Sequence, residues 1–152
     1  MWVPIDSYEK FLEVRARRWN ERPHGLVVFA ETNGGEAWCW NTTSPATRGE
    51  YPVARVEVFR YRLYAPSFSG FLYRNILQAF SEVEDREQLE QIKEACAEAA
   101  VVANDALREE IALVVSQIEN IDPNEDPKTQ ALSWTDYENQ VRRVFGEVYV
   151  CL

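Results

Sequence analysis

The sequence predicts an α+β fold: a small antiparallel sheet packed against helices, with a C-terminal helical extension. Three observations carry that expectation. First, two β-rich runs, Leu26–Ala30 and Ala37–Asn41, flank Thr32-Asn-Gly-Gly35, whose residues tolerate positive φ and so allow the chain to reverse. Second, Phe68, Leu72, Ile76 and Phe80 recur every four residues with Phe71 and Leu77 beside them, an apolar stripe broad enough to cover a sheet. Third, Leu89, Ile92, Cys96, Ala99 and Ala103, then Leu107, Ile111, Val114 and Ile118, step by three and four along a strongly helical region. A chain of 152 residues holds one domain with a real core and is short for two. It divides into an α+β core over 5–81 and an acidic helical extension over 82–152.

Taken in order, Ile5–Trp19 reads as a helix, with Asp6 and Glu9 in a capping-box relation and Tyr8, Phe11, Leu12 and Trp19 on one face. Pro23 and Gly25 end it. In the second β run Trp38 and Trp40 share one face and Ala37 and Cys39 the other, because side chains alternate along a strand. The Trp pair is read as packing beneath a helix rather than as a ligand-stacking platform. A polar loop over Thr42–Glu50 leads to a second β region, Pro52–Tyr64, whose phase slips near Phe59–Arg62, as a bulge or tight turn before Leu63-Tyr64 would cause. Ser67, placed after Pro66, caps a helix running to about Ser81. The region Glu84–Asn120 is one long helix or two, with Asn104-Asp105 able to cap a second. Its alanine-rich seam fits either a helical hairpin or a homodimer contact through 89–118. Asp122–Gln130 reads as a loop, Thr135–Glu138 as the capping start of a helix to about Phe145, and Val148–Leu152 as a final strand.

Charge is the most uneven property of the chain. The net charge is −9, and residues 82–126 hold 14 acidic against 3 basic residues, a balance of −11. Such a field repels nucleic acid and attracts cationic partners. Glu87, Glu90, Glu94 and Glu98 line up on one helical face, away from the apolar seam, and are the candidate partner-binding residues. Arg55, Arg60 and Arg62 form a basic strand face, but without aromatics at base-stacking spacing they do not indicate nucleic-acid binding.

Chemistry is sparse. His24 is the single histidine, and nothing in the spacing supports a dyad with Cys39. No phosphate loop, nucleophile elbow or H-E-x-x-H pattern occurs, so neither catalytic residues, a metal nor a cofactor is expected. Cys39, Cys96 and Cys151 are odd in number and widely spaced, which fits neither a disulfide framework nor a zinc site and points to a reducing, cytoplasmic compartment. No run approaches the roughly 18 apolar residues of a membrane span. Recognition of a protein is the expected function, with catalysis on a small ligand at Trp38 and Trp40 a remote alternative.

The segments Val28-Phe-Ala, Gly34-Gly-Glu-Ala-Trp-Cys-Trp40, Pro52-Val53 and Tyr64-Ala-Pro-Ser-Phe-Ser-Gly-Phe-Leu72 resemble the later half of the SUKH superfamily, over about residues 5–80. Glu36 stands where that family usually has Asp. The bacterial members are largely toxin-immunity proteins, so the resemblance implies a protein that binds and blocks a cognate toxin, such as a nuclease. The acidic surface also fits a second expectation, a phage or mobile-element protein that inhibits a host defence nuclease.

Overall fold

The structure, a computed structural model, describes residues 25–46, 48–57 and 60–150. The helix expected over Ile5–Trp19, and His24 after it, lie outside the described residues. Four strands, β1 (Leu26–Glu31), β2 (Ala37–Asn41), β3 (Val53–Glu57) and β4 (Arg60–Ala65), form an antiparallel sheet in chain order. Thr32 begins the first reversal: its N–H donates to the Glu36 carbonyl at 2.9 Å, its carbonyl accepts from the Gly35 N–H at 3.1 Å, and Gly35 takes φ +83°. The register of β1 on β2 slips between Val28 and Ala30, and Phe29, at the slip, meets the Trp40 ring at 4.7 Å between centroids. The β region expected over Pro52–Tyr64, with a bulge or tight turn near Phe59–Arg62, is a pair of antiparallel strands with Glu57 opposite Arg60 at the reversal.

Gly25 precedes β1 at φ +87°, and its carbonyl accepts from both the Thr42 N–H at 2.9 Å and the Thr42 Oγ1 at 2.8 Å. A Cβ there would sit 2.3 Å from the Thr43 Cγ2, on top of a backbone conformation that L-residues rarely adopt. Gly25→Ala is therefore expected to lose about 2 kcal/mol. Urea unfolding reads this as a lower midpoint at unchanged slope.

Helix α1 (Phe68–Ser81) is the element around which both layers are built. Ser67 caps it, its Oγ accepting from the Gly70 N–H at 3.0 Å, as the sequence predicts. Its apolar stripe does not stay on the sheet. A step of four residues advances about 40° around a helix, so Phe80 lies about 120° from Phe68. Phe68 and Phe71 therefore meet Phe29, Trp38, Trp40 and Tyr64 on the sheet, whereas Leu72, Ile76, Leu77 and Phe80 turn to a second, helical core.

That core is closed by α2 (Arg86–Val102), α3 (Asp105–Glu119) and α5 (Trp134–Phe145), with the short α4 (Pro127–Gln130) in the connection. The region 84–120 is two helices. Ala103 leaves helical geometry and the Asn104 side chain caps α3, accepting from the Leu107 N–H at 3.1 Å. The seam from Leu89 to Ile118 is buried with Tyr73, Ile76, Leu77 and Phe80, so it is used as a hairpin within the chain. A buried link pins this hairpin to α1: Ser69 Oγ donates to Glu50 Oε1 at 2.6 Å and accepts from the Asn104 N–H at 3.1 Å.

Two further expectations are corrected. Helix α5 begins at Trp134, capped by Ser133 rather than Thr135, because the Ser133 Oγ is the group that accepts from the Asp136 N–H, at 3.1 Å. Beyond Gly146, Glu147–Tyr149 form a 3₁₀ turn where a strand was expected. The Val150 N–H is taken by the Glu147 carbonyl at 3.0 Å instead of by a neighbouring strand. The fold class stands: an antiparallel sheet on helices, followed by a helical C-terminal region.

Candidate functional site

Helix α2 presents the four candidate glutamates as a spaced row. Asp85 caps it, accepting from the Gln88 N–H at 2.9 Å. Its buried side, Leu89, Ile92, Cys96 and Ala99, holds it against the core, while Glu87, Glu90, Glu94 and Glu98 are exposed on the other side. Counter-charge is thin. Lys93 Nζ stands 3.2 Å from Glu90, whose side chain remains 70% exposed. Glu87 accepts weakly from Gln91 at 3.5 Å. Among the described residues Glu94 and Glu98 have no ion-pair partner. The helix beneath is anchored by its buried side, which fixes the spacing of the carboxylates.

The tryptophans are not a platform. Trp38 stands edge-on to Phe71 at 5.8 Å and to Tyr64 at 6.2 Å, and Trp40 lies 6.3 Å from Phe68, all between the sheet and α1. Cys39 and Cys96 are both buried and outside any disulfide. Burial pushes the Cys96 thiol up to about 11, so it stays a protonated thiol at neutral pH. Among the described residues no group of three or more His, Cys, Asp or Glu is placed to hold a metal ion, and no helix is long and apolar enough to cross a membrane.

Sequence reasoning missed a second cluster, at the end of the sheet where α1 and α5 meet it. Arg74 is 9% exposed. Its Nη1 donates to the Tyr64 carbonyl at 2.6 Å and the Tyr149 carbonyl at 3.1 Å, and its Nε to the Tyr137 hydroxyl at 2.8 Å. The guanidinium also lies 4.3 Å above the Tyr64 ring, and none of these partners is a carboxylate. Burial pushes the Tyr64 phenol well up, with Tyr137 adding to it, and that phenol donates to Asn75 Oδ1 at 3.0 Å. A signal existed. Arg74 falls about 60° from Phe71 and from Leu77 on the helical wheel, inside the apolar arc rather than outside it.

Arg55 and Arg62 flank Arg74 from the sheet. Arg55 Nη2 reaches Glu36 Oε1 at 2.5 Å, its Nε is 3.3 Å from Glu57 Oε1, and Arg62 pairs with the same Glu57 oxygen. The expected basic strand face is thus partly compensated, with one carboxylate shared between two guanidiniums. On the far side of the helical core Arg143 grips Glu110 through two bonds of 2.8 and 2.6 Å, holding that carboxyl below its usual range.

Comparison with known proteins finds no family model, no curated protein and no solved structure that matches this chain.

Proposed function

We propose that the protein is an immunity-type inhibitor: it binds a cognate toxin, with a nuclease the favoured class, and blocks it through the acidic face of α2. The observation that carries this reading is the row Glu87, Glu90, Glu94 and Glu98, exposed on a helix whose opposite face is buried in the core. A nuclease must present Lys and Arg to phosphate, and a row of carboxylates at helical spacing meets such a surface in place of the nucleic acid. The SUKH resemblance over 5–80 supports the same function, with that segment as scaffold and α2 as contact. Charge sets encounter rate and partner choice, while affinity comes from apolar anchors that exclude water around it. The exposed Val101 and Val102, in the last turn of α2, are the nearest apolar residues for that role.

The test is co-expression with candidate toxins, any encoded beside this chain first, read by pull-down and by growth rescue. Glu90→Lys with Glu94→Lys leaves folding intact, because both sites are exposed. The pair of reversals should slow association by roughly tenfold at low salt and flatten its salt dependence. Rescue and affinity unchanged by the double reversal would remove the acidic face from the function. Recovery of a host defence nuclease instead of a toxin, from a gene set in a phage operon, moves the reading to counter-defence.

A further inference from the structure

A cleft of about 90 Å³ lies between the sheet end, α1 and α5, lined by Arg55, Arg62, Arg74, Tyr137, Trp134 and Glu138 among others. We infer that it is a binding site for a phosphate-type oxyanion. This inference is independent of the acidic face, which uses none of these residues.

Three features carry it. First, guanidiniums from β3, β4 and α1 converge on one small cleft in a chain of net charge −9. Second, two buried donors of the cleft, on Arg55 and Arg62, lack a hydrogen-bond acceptor. The buried side-chain N–H groups that lack an acceptor among the described residues are Trp38 Nε1, Arg55 Nε and Arg62 Nε. Arg55 and Arg62 line the cleft, while Trp38, which pairs with Arg55 in the same row across the sheet, lies outside its lining. Arg55 Nε is near Glu57 but misaligned for a hydrogen bond. Third, Arg74 is a buried cation whose hydrogen bonds go to two carbonyls and a hydroxyl, none of which carries a negative charge. Buried donors without acceptors cost roughly 1–3 kcal/mol each, so a pair of them in one cleft marks a missing acceptor.

Size and charge narrow the ligand. The cleft is large enough to admit one phosphate-sized group. The carboxylates Glu36 and Glu57 offset the Arg55 and Arg62 cations, and Glu138 adds a further carboxylate to the wall of the cleft. The ligand must therefore displace Glu138 outward or compete with it, which sets a moderate affinity and yields a distinctive prediction. At the cleft Trp134 is 52% exposed and stacks on Tyr137 at 4.8 Å. Its free face offers a planar group attached to the phosphate a stacking surface. The guanidinium fork matches phosphate oxygens in pairs, which an ammonium could not do.

The experiment is titration of the full chain with inorganic phosphate, and separately with adenosine monophosphate, followed by the arginine Nε–H resonances. Saturable shifts at Arg55 and Arg62 through the millimolar range are expected with both. Tighter binding of the nucleotide identifies a phosphate monoester with a stacked ring, and equal binding identifies the bare oxyanion. Arg62→Gln should weaken binding roughly tenfold and Glu138→Gln should strengthen it several-fold. The Glu138 variant guards the test, because a gain of affinity cannot arise from misfolding. No saturable shift with either ligand, or identical affinity in wild type and Glu138→Gln, overturns the assignment.

Discussion

Replacing Arg74 with Ala should destabilise the protein by more than about 3 kcal/mol, the largest loss expected from any polar substitution. Arg74 joins three parts of the chain that are otherwise tied mainly by apolar packing. Its donors reach the Tyr64 carbonyl at the end of the sheet, the Tyr137 hydroxyl on α5 and the Tyr149 carbonyl in the 3₁₀ turn. Truncation leaves those acceptors facing a low-dielectric gap, each costing roughly 1–3 kcal/mol, and removes the stem and the stacking on Tyr64. Against a total stability of about 5–15 kcal/mol for a domain of this kind, the loss is severe. Arg74→Lys keeps the charge but offers a compact ammonium in place of a planar fork, so it should recover less than half of the loss. Arg74→Met keeps most of the packing and isolates the hydrogen bonds. Urea unfolding of the three variants decides the matter, and losses below about 0.5 kcal/mol in both the Ala and Met variants would remove Arg74 as a structural node.

Phe80→Ala is expected to cost about 3–5 kcal/mol, the range for emptying a buried phenylalanine site. The ring is 2% exposed and packs among the residues of the helical core, while Phe71, earlier on the same helix, packs on the sheet. Because α1 is shared by both layers, a defect on its helical side should be felt in the sheet. Far-UV circular dichroism follows the helices and near-UV follows the packed aromatic rings, Trp38 and Trp40 among them. The two midpoints should fall together in Phe80→Ala, as a two-state domain requires. Separate midpoints would show that the layers melt independently and that α1 does not couple them.

Much of the architecture is legible in the sequence because local chemistry and long-range packing agree there. The Gly-Gly reversal, the Ser67 cap, the break at Asn104 and the apolar seams each follow from a residue whose preference the structure respects. The misreadings share one cause: the sequence pattern does not say which of several competent neighbours a group meets. Ser133 and Thr135 are both good caps, and the geometry of the preceding chain selects Ser133. The stripe from Phe68 to Phe80 reads as one face, yet its drift around α1 serves two layers. Val148 and Tyr149 have strand composition but follow Gly146 at φ +96°, which turns the chain into a 3₁₀ turn.

The candidate sites divide the same way. Exposure of Glu87, Glu90, Glu94 and Glu98 follows from helical spacing alone, so that face is legible in the amino-acid pattern itself. The arginine cleft is not, because Arg55, Arg62 and Arg74 come from three elements and only the fold brings them together. A basic strand face and one arginine inside an apolar arc are each unremarkable by themselves.

The most direct test of the central claim is hydrogen–deuterium exchange on the purified complex with the toxin recovered by co-expression. Binding through α2 should slow amide exchange across residues 86–102, because an occupied surface suppresses local opening of the helix beneath it. Protection centred there, lost with Glu90→Lys and Glu94→Lys, is the predicted result. Protection confined to β1 and β2, with α2 exchanging as in the unbound protein, would contradict it.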